Sequence, residues 1–364
     1  KEGLAHEGYM LLHGYGFKKA DSKKAIDMLK KSAETEGPRN KSTYGAAQYA
    51  ECLFEKNAKD AIPILEELAY TLKDMWGREK LAYCYANGIG VAKNVDKCLQ
   101  LYKLSAAQGC CNALYAMGTI LLEGRCGLPS SPSESIPYLK QSAKLGNLDA
   151  EVTYARCQLN GTGLPVKNEK KAFKHAKIAA DGENINGKAL LGTMLYYGKG
   201  CDSNPEAARQ YIIDASNAKI PEAMDVYGQM LANGESVTQN KVQAVQLFKE
   251  AHELGFIEST YHYAQSLEAG KGCDQNFAQA AQLYKIAADH NHHDSEFKYA
   301  WFCEEGQYIP KNEKEAVTYY EKAANGGHAD AMANYAVMLL NGIGIKKNAK
   351  EAFKFFLNQK KRSI

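Results

Sequence analysis

The sequence predicts an all-α fold, a right-handed α/α superhelical solenoid of about ten stacked helix–turn–helix repeats. Two observations predict it. Nine of ten evenly spaced positions are glycine (Gly14, Gly88, Gly124, Gly161, Gly198, Gly234, Gly270, Gly306 and Gly342), with Lys56 in the remaining place. From Gly198 onward the glycines recur every 36 residues. A period of that length marks stacked units rather than one enclosed enzyme core. The second observation is a column of minimal side chains, five places into each repeat, that is Gly or Ala throughout. Residues 1–364 read as one solenoid, with repeat starts near 3, 45, 77, 113, 150, 187, 223, 259, 295 and 331 and an irregular stretch over 1–76.

Each repeat opens with helix A. Its first residue is Gly, Ala or Ser, as at Gly45, Ala113, Gly187, Ala223 and Ser259. Four places on stands a large residue, such as Tyr154, Leu191, Tyr263, Tyr299 or Tyr335, and the next place is the small column, as at Gly192, Gly228 and Ala264. A leucine such as Leu231, Leu267 or Leu339 completes the pattern. These positions share one face of an α-helix. The unbroken small column predicts a close approach by another helix.

The repeat glycine then ends helix A, where a left-handed C-terminal residue is needed. A second glycine often follows, at Gly90, Gly163, Gly200, Gly272 and Gly344. The loop runs to Asn94, Asn204, Asn240, Asn276, Asn312 or Asn348, residues suited to capping the free N–H groups of helix B. Helix B carries Ala208, Ala244, Ala280, Ala316 and Ala352, then an aromatic such as Phe248, Tyr284, Tyr320 or Phe356.

This pattern resembles the Sel1-like repeat family, a relative of the tetratricopeptide repeat. The residues that carry the resemblance are Ala331 to Ala336, Leu339 to Gly344, Lys347-Asn348 and Glu351-Ala352, together with Ala316 to Gly327. It covers residues 3 to about 358. The resemblance implies an assembly platform: members serve in ubiquitin-ligase complexes of the endoplasmic reticulum, as activators of chitin synthase, as bacterial host-interaction factors, or fused to kinases. The second unit departs from the pattern, lacking its glycine and holding Pro63 near the start of its B helix. The fourth unit's loop, 125–135, is rich in Ser and Pro and reads as a surface loop or a phosphorylation site.

Composition narrows the function. The net charge is +3 on a balanced background, so nothing marks a nucleic-acid footprint, which needs clustered basic stripes. No run of about 18 apolar residues predicts membrane insertion. The chain opens at Lys1 and stops within a helix, and so reads as a trimmed or processed piece. Most of the ten cysteines fall where other repeats carry Met, Ile, Leu or Ala, so they read as small buried residues of a reducing cytoplasm. The alternative is the endoplasmic reticulum lumen or secretion, to which the sequons at Asn40 and Asn160 would point.

No catalytic, cofactor-binding or metal-binding site is expected. The Gly-x-Gly loops follow helices, whereas a dinucleotide site needs them after a strand. His290, His292, His293 and Asp294 are dense, but neighbours in one turn rarely converge on one ion. Cys110-Cys111 reads as part of a helix joint. Glu66-Glu67 and Glu304-Glu305 read as exposed helical acids, and no Ser-x-x-Lys nucleophile motif is present.

The expected working surface is the concave side, lined by the A helices. Its columns should be polar if nothing binds, yet they carry Tyr9, Tyr83, Tyr115, Tyr196, Tyr197, Tyr261, Phe297 and Trp301. Glu268, Glu304 and Glu305 border the last three, with Gln229 and Gln265 nearby. Aromatics inside a polar rim are the chemistry of a protein-binding hot spot, and the acidic border suggests a ligand carrying Lys or Arg. Packing between neighbouring A helices is the other reading of the same rings. The candidate partner-binding residues are Tyr115, Tyr261, Gln265, Phe297, Trp301, Glu304 and Glu305. The expected function is a non-catalytic scaffold or adaptor for a protein or peptide ligand; the alternative is a regulatory segment of a larger enzyme.

Overall fold

The structure is a computed structural model that describes residues 2–13, 22–34 and 43–362. Among these residues it is all-helical, with nineteen α-helices and one π-helical turn. The chain divides into two compact units, Lys1–Gly187 and Lys188–Ile364.

The first unit holds α1 (Glu2–His13), α2 (Ser22–Ala33), α3 (Thr43–Glu66), α4 (Met75–Asn87), α5 (Val95–Ala107), α6 (Cys111–Glu123), α7 (Pro132–Lys144), α8 (Leu148–Asn160) and α9 (Glu169–Asp181). Helix α10 (Ile185–Tyr197) leads into α11 (Pro205–Asn217), α12 (Pro221–Asn233), α13 (Lys241–Glu253), α14 (Ile257–Ala269), α15 (Phe277–Asp289), α16 (His293–Glu305), α17 (Glu313–Gly326), α18 (Ala329–Asn341) and α19 (Ala349–Arg362). Within each unit helices pack chiefly on their neighbours in the chain. The core is therefore a series of helix joints.

Two columns of the sequence account for those joints. The small residue five places into helix A receives the large residue of its own helix B. A Cβ added to Gly118 would lie 2.7 Å from Leu139, one on Gly192 2.8 Å from Ile212, and one on Gly228 2.5 Å from Phe248. The small residue at the repeat start, which lies in the first turn of helix A, meets the preceding B helix: a Cβ on Gly187 would lie 2.6 Å from that of Ala179. Tyr284 and Tyr320 are fully buried at the centre of such joints in the second unit.

Helix ends obey the sequence as well. The repeat glycines of the described residues end their A helices in the left-handed region, as at Gly234 (φ 73°) and Gly270 (φ 64°). Gly14 lies outside the described residues. The predicted asparagines cap the B helices: Asn240 accepts from the Gln243 amide at 3.1 Å and Asn276 from that of Gln279 at 3.0 Å. Asn168, outside the predicted set, does the same for Lys171 at 2.9 Å.

The second repeat solves the missing glycine differently. Here α3 consists of two helical runs that meet at a kink at Asn57, which is extended (φ −156°, ψ 101°). Pro63 sits inside the next helical run, and Glu67–Thr71 forms the π-helical turn before α4. An extended residue thus takes the place of the left-handed glycine, and two helices are joined where other repeats have a loop.

Candidate functional site

The second unit contains an open groove of about 860 Å³. Helix α12 contributes Gln229, Ala232 and Asn233, and α14 contributes His262, Gln265, Ser266, Glu268 and Ala269. Ala244, Val245 and Phe248 of α13 form its apolar part, beside Phe277 of α15. Lys241, Lys271 and Lys298 bring ammonium groups to it. The A-helix contributions fall largely in the columns that the sequence assigned to the concave side. Space remains because two repeats place Gln where the next has Trp301, and because Ala232, Asn233 and Ala269 are short.

A buried network holds the two A helices together. Asp225 of α12 accepts from Ser259 Oγ at 2.7 Å and pairs with His262 Nδ1 at 2.8 Å. Its second oxygen accepts from Gln229 Nε2 at 2.8 Å. A carboxylate only accepts, so Nδ1 of His262 carries the hydrogen. Gln229 Nε2 also donates to Tyr197 Oη at 2.7 Å, and Gln265 Nε2 donates to Tyr261 Oη at 2.7 Å. The loop leading into α13 is tied by Gln239 Nε2 donating to the Ala232 carbonyl at 2.9 Å. Gly272 closes the next loop onto α13: at φ 82° a Cβ would overlap the Lys241 carbonyl.

The predicted partner residues divide three ways. Gln265 lines the groove. Tyr261, Phe297 and Trp301 are half-buried and pack against the core of the second unit. Tyr261 lies 4.6 Å from the His292 ring, and Phe297 stacks on His328 at 4.4 Å and 17°. Each of these histidines caps the next A helix, so both rings take part in the joint between repeats. Trp301 meets Phe302 edge-on at 5.0 Å. Burial, with the Asp294 and Glu268 carboxylates adding to it, pushes the Tyr261 phenol up to about 12, so it remains a hydroxyl at neutral pH. Tyr115 belongs to the first unit, half-buried beside Ile136, Leu139, Tyr154 and Cys157.

The acidic border is largely occupied. Glu304 accepts from Tyr320 Oη at 2.8 Å. Glu268 accepts from Tyr284 Oη at 2.5 Å and pairs with Lys298 at 2.9 Å. Glu305 stays exposed. Groove residues absent from the sequence reading include Lys241, Lys271, Lys298, Asn233 and His262. Their signals were faint: an Asn at the last position of several A helices (Asn87, Asn160, Asn233, Asn341), and a Lys inside two Gly-x-Gly loops (Lys199, Lys271).

The histidine-rich turn is divided among local contacts. His290 Nδ1 meets the Ile286 carbonyl at 2.9 Å, His292 caps α16, and His293 pairs with the buried Glu296 at 2.9 Å. Among the described residues no group of three His, Cys, Asp or Glu is arranged to hold a metal ion, and no helix is long and apolar enough to cross a membrane. Cys110 is buried at the start of α6. In the Ser/Pro loop, Ser131 precedes the first turn of α7 and Ser130 Oγ donates to the Leu122 carbonyl at 2.8 Å.

Comparison with known families agrees with this architecture. Residues 3–34, 79–110, 111–147, 149–184, 187–218, 221–256, 257–292, 293–328 and 329–357 match the Sel1 repeat. The chain belongs to the Sel1 repeat family. The segment between the first two matches contains the fused helix α3. Sel1-repeat solenoids typically act as protein-interaction scaffolds. The chain is 26% identical to an uncharacterized protein of Neisseria meningitidis serogroup B over 205 residues, 53% of this chain and 39% of that one. It is 33% identical to chitin synthase regulatory factor 4 of Schizosaccharomyces pombe over 128 residues, 35% of this chain and 19% of that one. It therefore spans well under two thirds of the length of these relatives. A solved structure of a protective antigen from uropathogenic Escherichia coli, an SLR fold, is similar with a TM-score of 0.61 at 17% identity. That likeness covers 99% of this chain and 86% of the antigen, and it concerns the fold: an all-α solenoid of Sel1 repeats.

Proposed function

We propose that this chain is a non-catalytic scaffold or adaptor that holds a protein partner in the groove of its second unit. The observation that carries this reading is the groove itself. Its paired carboxamides and short side chains lie in A-helix columns that the helix joints leave open, the exposed ammonium groups of Lys241 and Lys271 stand beside them, and concave surfaces of this kind are where solenoids hold their partners. The typical role of the Sel1 repeat supports the non-catalytic part. The reading sets the protein in the cytoplasm, and its ten free cysteines suit a reducing compartment.

A photo-crosslinking amino acid placed at Asn233, with a control at the exposed Val166, tests the proposal. Protein adducts from the source cell should form at 233 and be absent at 166. Equal labelling at both, or none at 233, overturns it. The likeness to a chitin synthase regulatory factor, together with the partial coverage of both relatives, favours one second reading, a regulatory segment of a longer protein. An adduct within the same polypeptide, once the full-length protein is used, would select that reading.

A further inference from the structure

The groove has a chemistry that selects its occupant, provided that it is the partner site proposed above. We propose that it takes an extended polypeptide segment rich in Asp and Glu and carrying one large apolar side chain. Charge is the first reason. Three ammonium groups stand at the groove against one carboxylate, and Lys298 and Glu268 neutralise one another at 2.9 Å. Lys241 and Lys271 are exposed and form no ion pair among the described residues. The field left over is positive, and a concave site focuses it. This ligand differs from the basic one that Glu268, Glu304 and Glu305 suggested as sequence: Glu268 is paired with Lys298, and neither Glu304 nor Glu305 lines the groove.

Backbone hydrogen bonding separates an extended chain from a helix. Gln229 and Gln265 occupy the same repeat position on adjacent A helices. Each amide nitrogen is held by a neighbouring tyrosine, and Gln229 also by Asp225. The carboxamides are thereby fixed, and each Oε1 is left as an acceptor. A helical ligand has its N–H groups bonded internally, whereas an extended chain offers free ones. Helices in side-chain contact lie roughly 8–10 Å apart. An extended segment with three residues per turn, the polyproline II form with a rise of about 3.1 Å per residue, therefore brings one peptide N–H to each A helix about every third residue. Ala232, Ala269 and the half-buried Phe277 supply the apolar surface on which one side chain of the segment rests, backed by the buried Val245 and Phe248.

Fluorescein-labelled peptides of roughly ten residues, long enough to cross three repeats at that rise, test the proposal by anisotropy. One set carries Glu and Asp around a central Phe; the others replace the acids with Gln or with Lys. The full chain should bind the acidic peptide about tenfold or more tighter than the neutral one, with affinity falling as salt rises. Lys241→Glu/Lys271→Glu, two exposed positions whose folding is checked by circular dichroism, should lose about tenfold for the acidic peptide and little for the neutral one. N-methylation at every third peptide bond should weaken binding while charge is unchanged. Equal binding of acidic and basic peptides, or an unmoved affinity in the double variant, overturns the proposal. Crosslinks at 233 that persist in the double variant would then leave the scaffold standing without this ligand, whereas their absence from the parent chain removes both.

Discussion

At the scale of single residues, burial decides what the polar groups of this chain can do. Asp225 is buried but satisfied by Ser259, His262 and Gln229, so it links neighbouring repeats. Glu79 in the first unit is the contrary case. Its Oε2 is buried without a hydrogen-bond partner among the described residues. Burial raises its carboxyl above the ordinary carboxylate range, Lys80 opposes this, and Glu51 adds to it. The folded chain thus holds that proton to higher pH than the unfolded chain does. Stability contributed at this site is therefore lost as pH rises through the window above the ordinary carboxylate value. Glu79→Gln is expected to stabilise the protein at pH 7 by on the order of 1 kcal/mol. The gain should shrink below about pH 4, where the parent carboxyl is protonated in both states. Thermal melts of the two proteins across pH check it; a gain that grows on acidification would contradict the assignment.

At the scale of elements, the helix joint is the unit of stability. Its geometry needs a minimal residue on helix A wherever a branched or aromatic side chain arrives from helix B. Gly192 faces Ile212, with only 2.8 Å to its side chain and 3.3 Å to its backbone nitrogen for any added Cβ. Backbone on the far side leaves little room to yield. Gly192→Leu is expected to cost about 1–3 kcal/mol or more by overpacking, read as a lowered melting temperature. A variant that melts like its parent would mean that α10 and α11 are packed in another register. The same logic explains why the second repeat tolerates an odd connection: its constraint is the packing of α3 and α4, which a kink at Asn57 serves as well as a glycine turn.

At the scale of the whole molecule, the cysteines report on how the repeats are closed. Cys52, Cys84, Cys98, Cys110, Cys157 and Cys303 are buried, while Cys111, Cys126, Cys201 and Cys273 are partly accessible. Burial pushes the Cys84 and Cys303 thiols up to about 11 and the Cys98 thiol up to about 12. The thiolate is the reactive form, so both access and ionisation protect these groups. Iodoacetamide at about pH 8, below the ordinary thiol value, should label the four accessible cysteines first and the six buried ones only after denaturant is added. Peptide mass mapping reads the order. Native labelling of Cys84 or Cys303 at the rate of Cys201 would mean that the helix pairs open freely.

The period, the helix ends and the columns of the joints were all legible in the order of residues. A repeat states its contacts many times over, and glycine, asparagine and alanine are each confined by local backbone or packing needs. Gln265, Tyr261 and Phe297 could be assigned to A-helix columns outside the small-residue face for that reason. What those side chains do there was settled by the assembled helices. The two rings lie against His292 and His328 of the following turn, the acids at 268 and 304 are bound by tyrosines of their own B helices, and Lys241, Lys271 and Lys298 meet from three different elements. Position within one repeat implies none of this, because the charge left over at a surface depends on which partners the neighbouring repeats bring within reach.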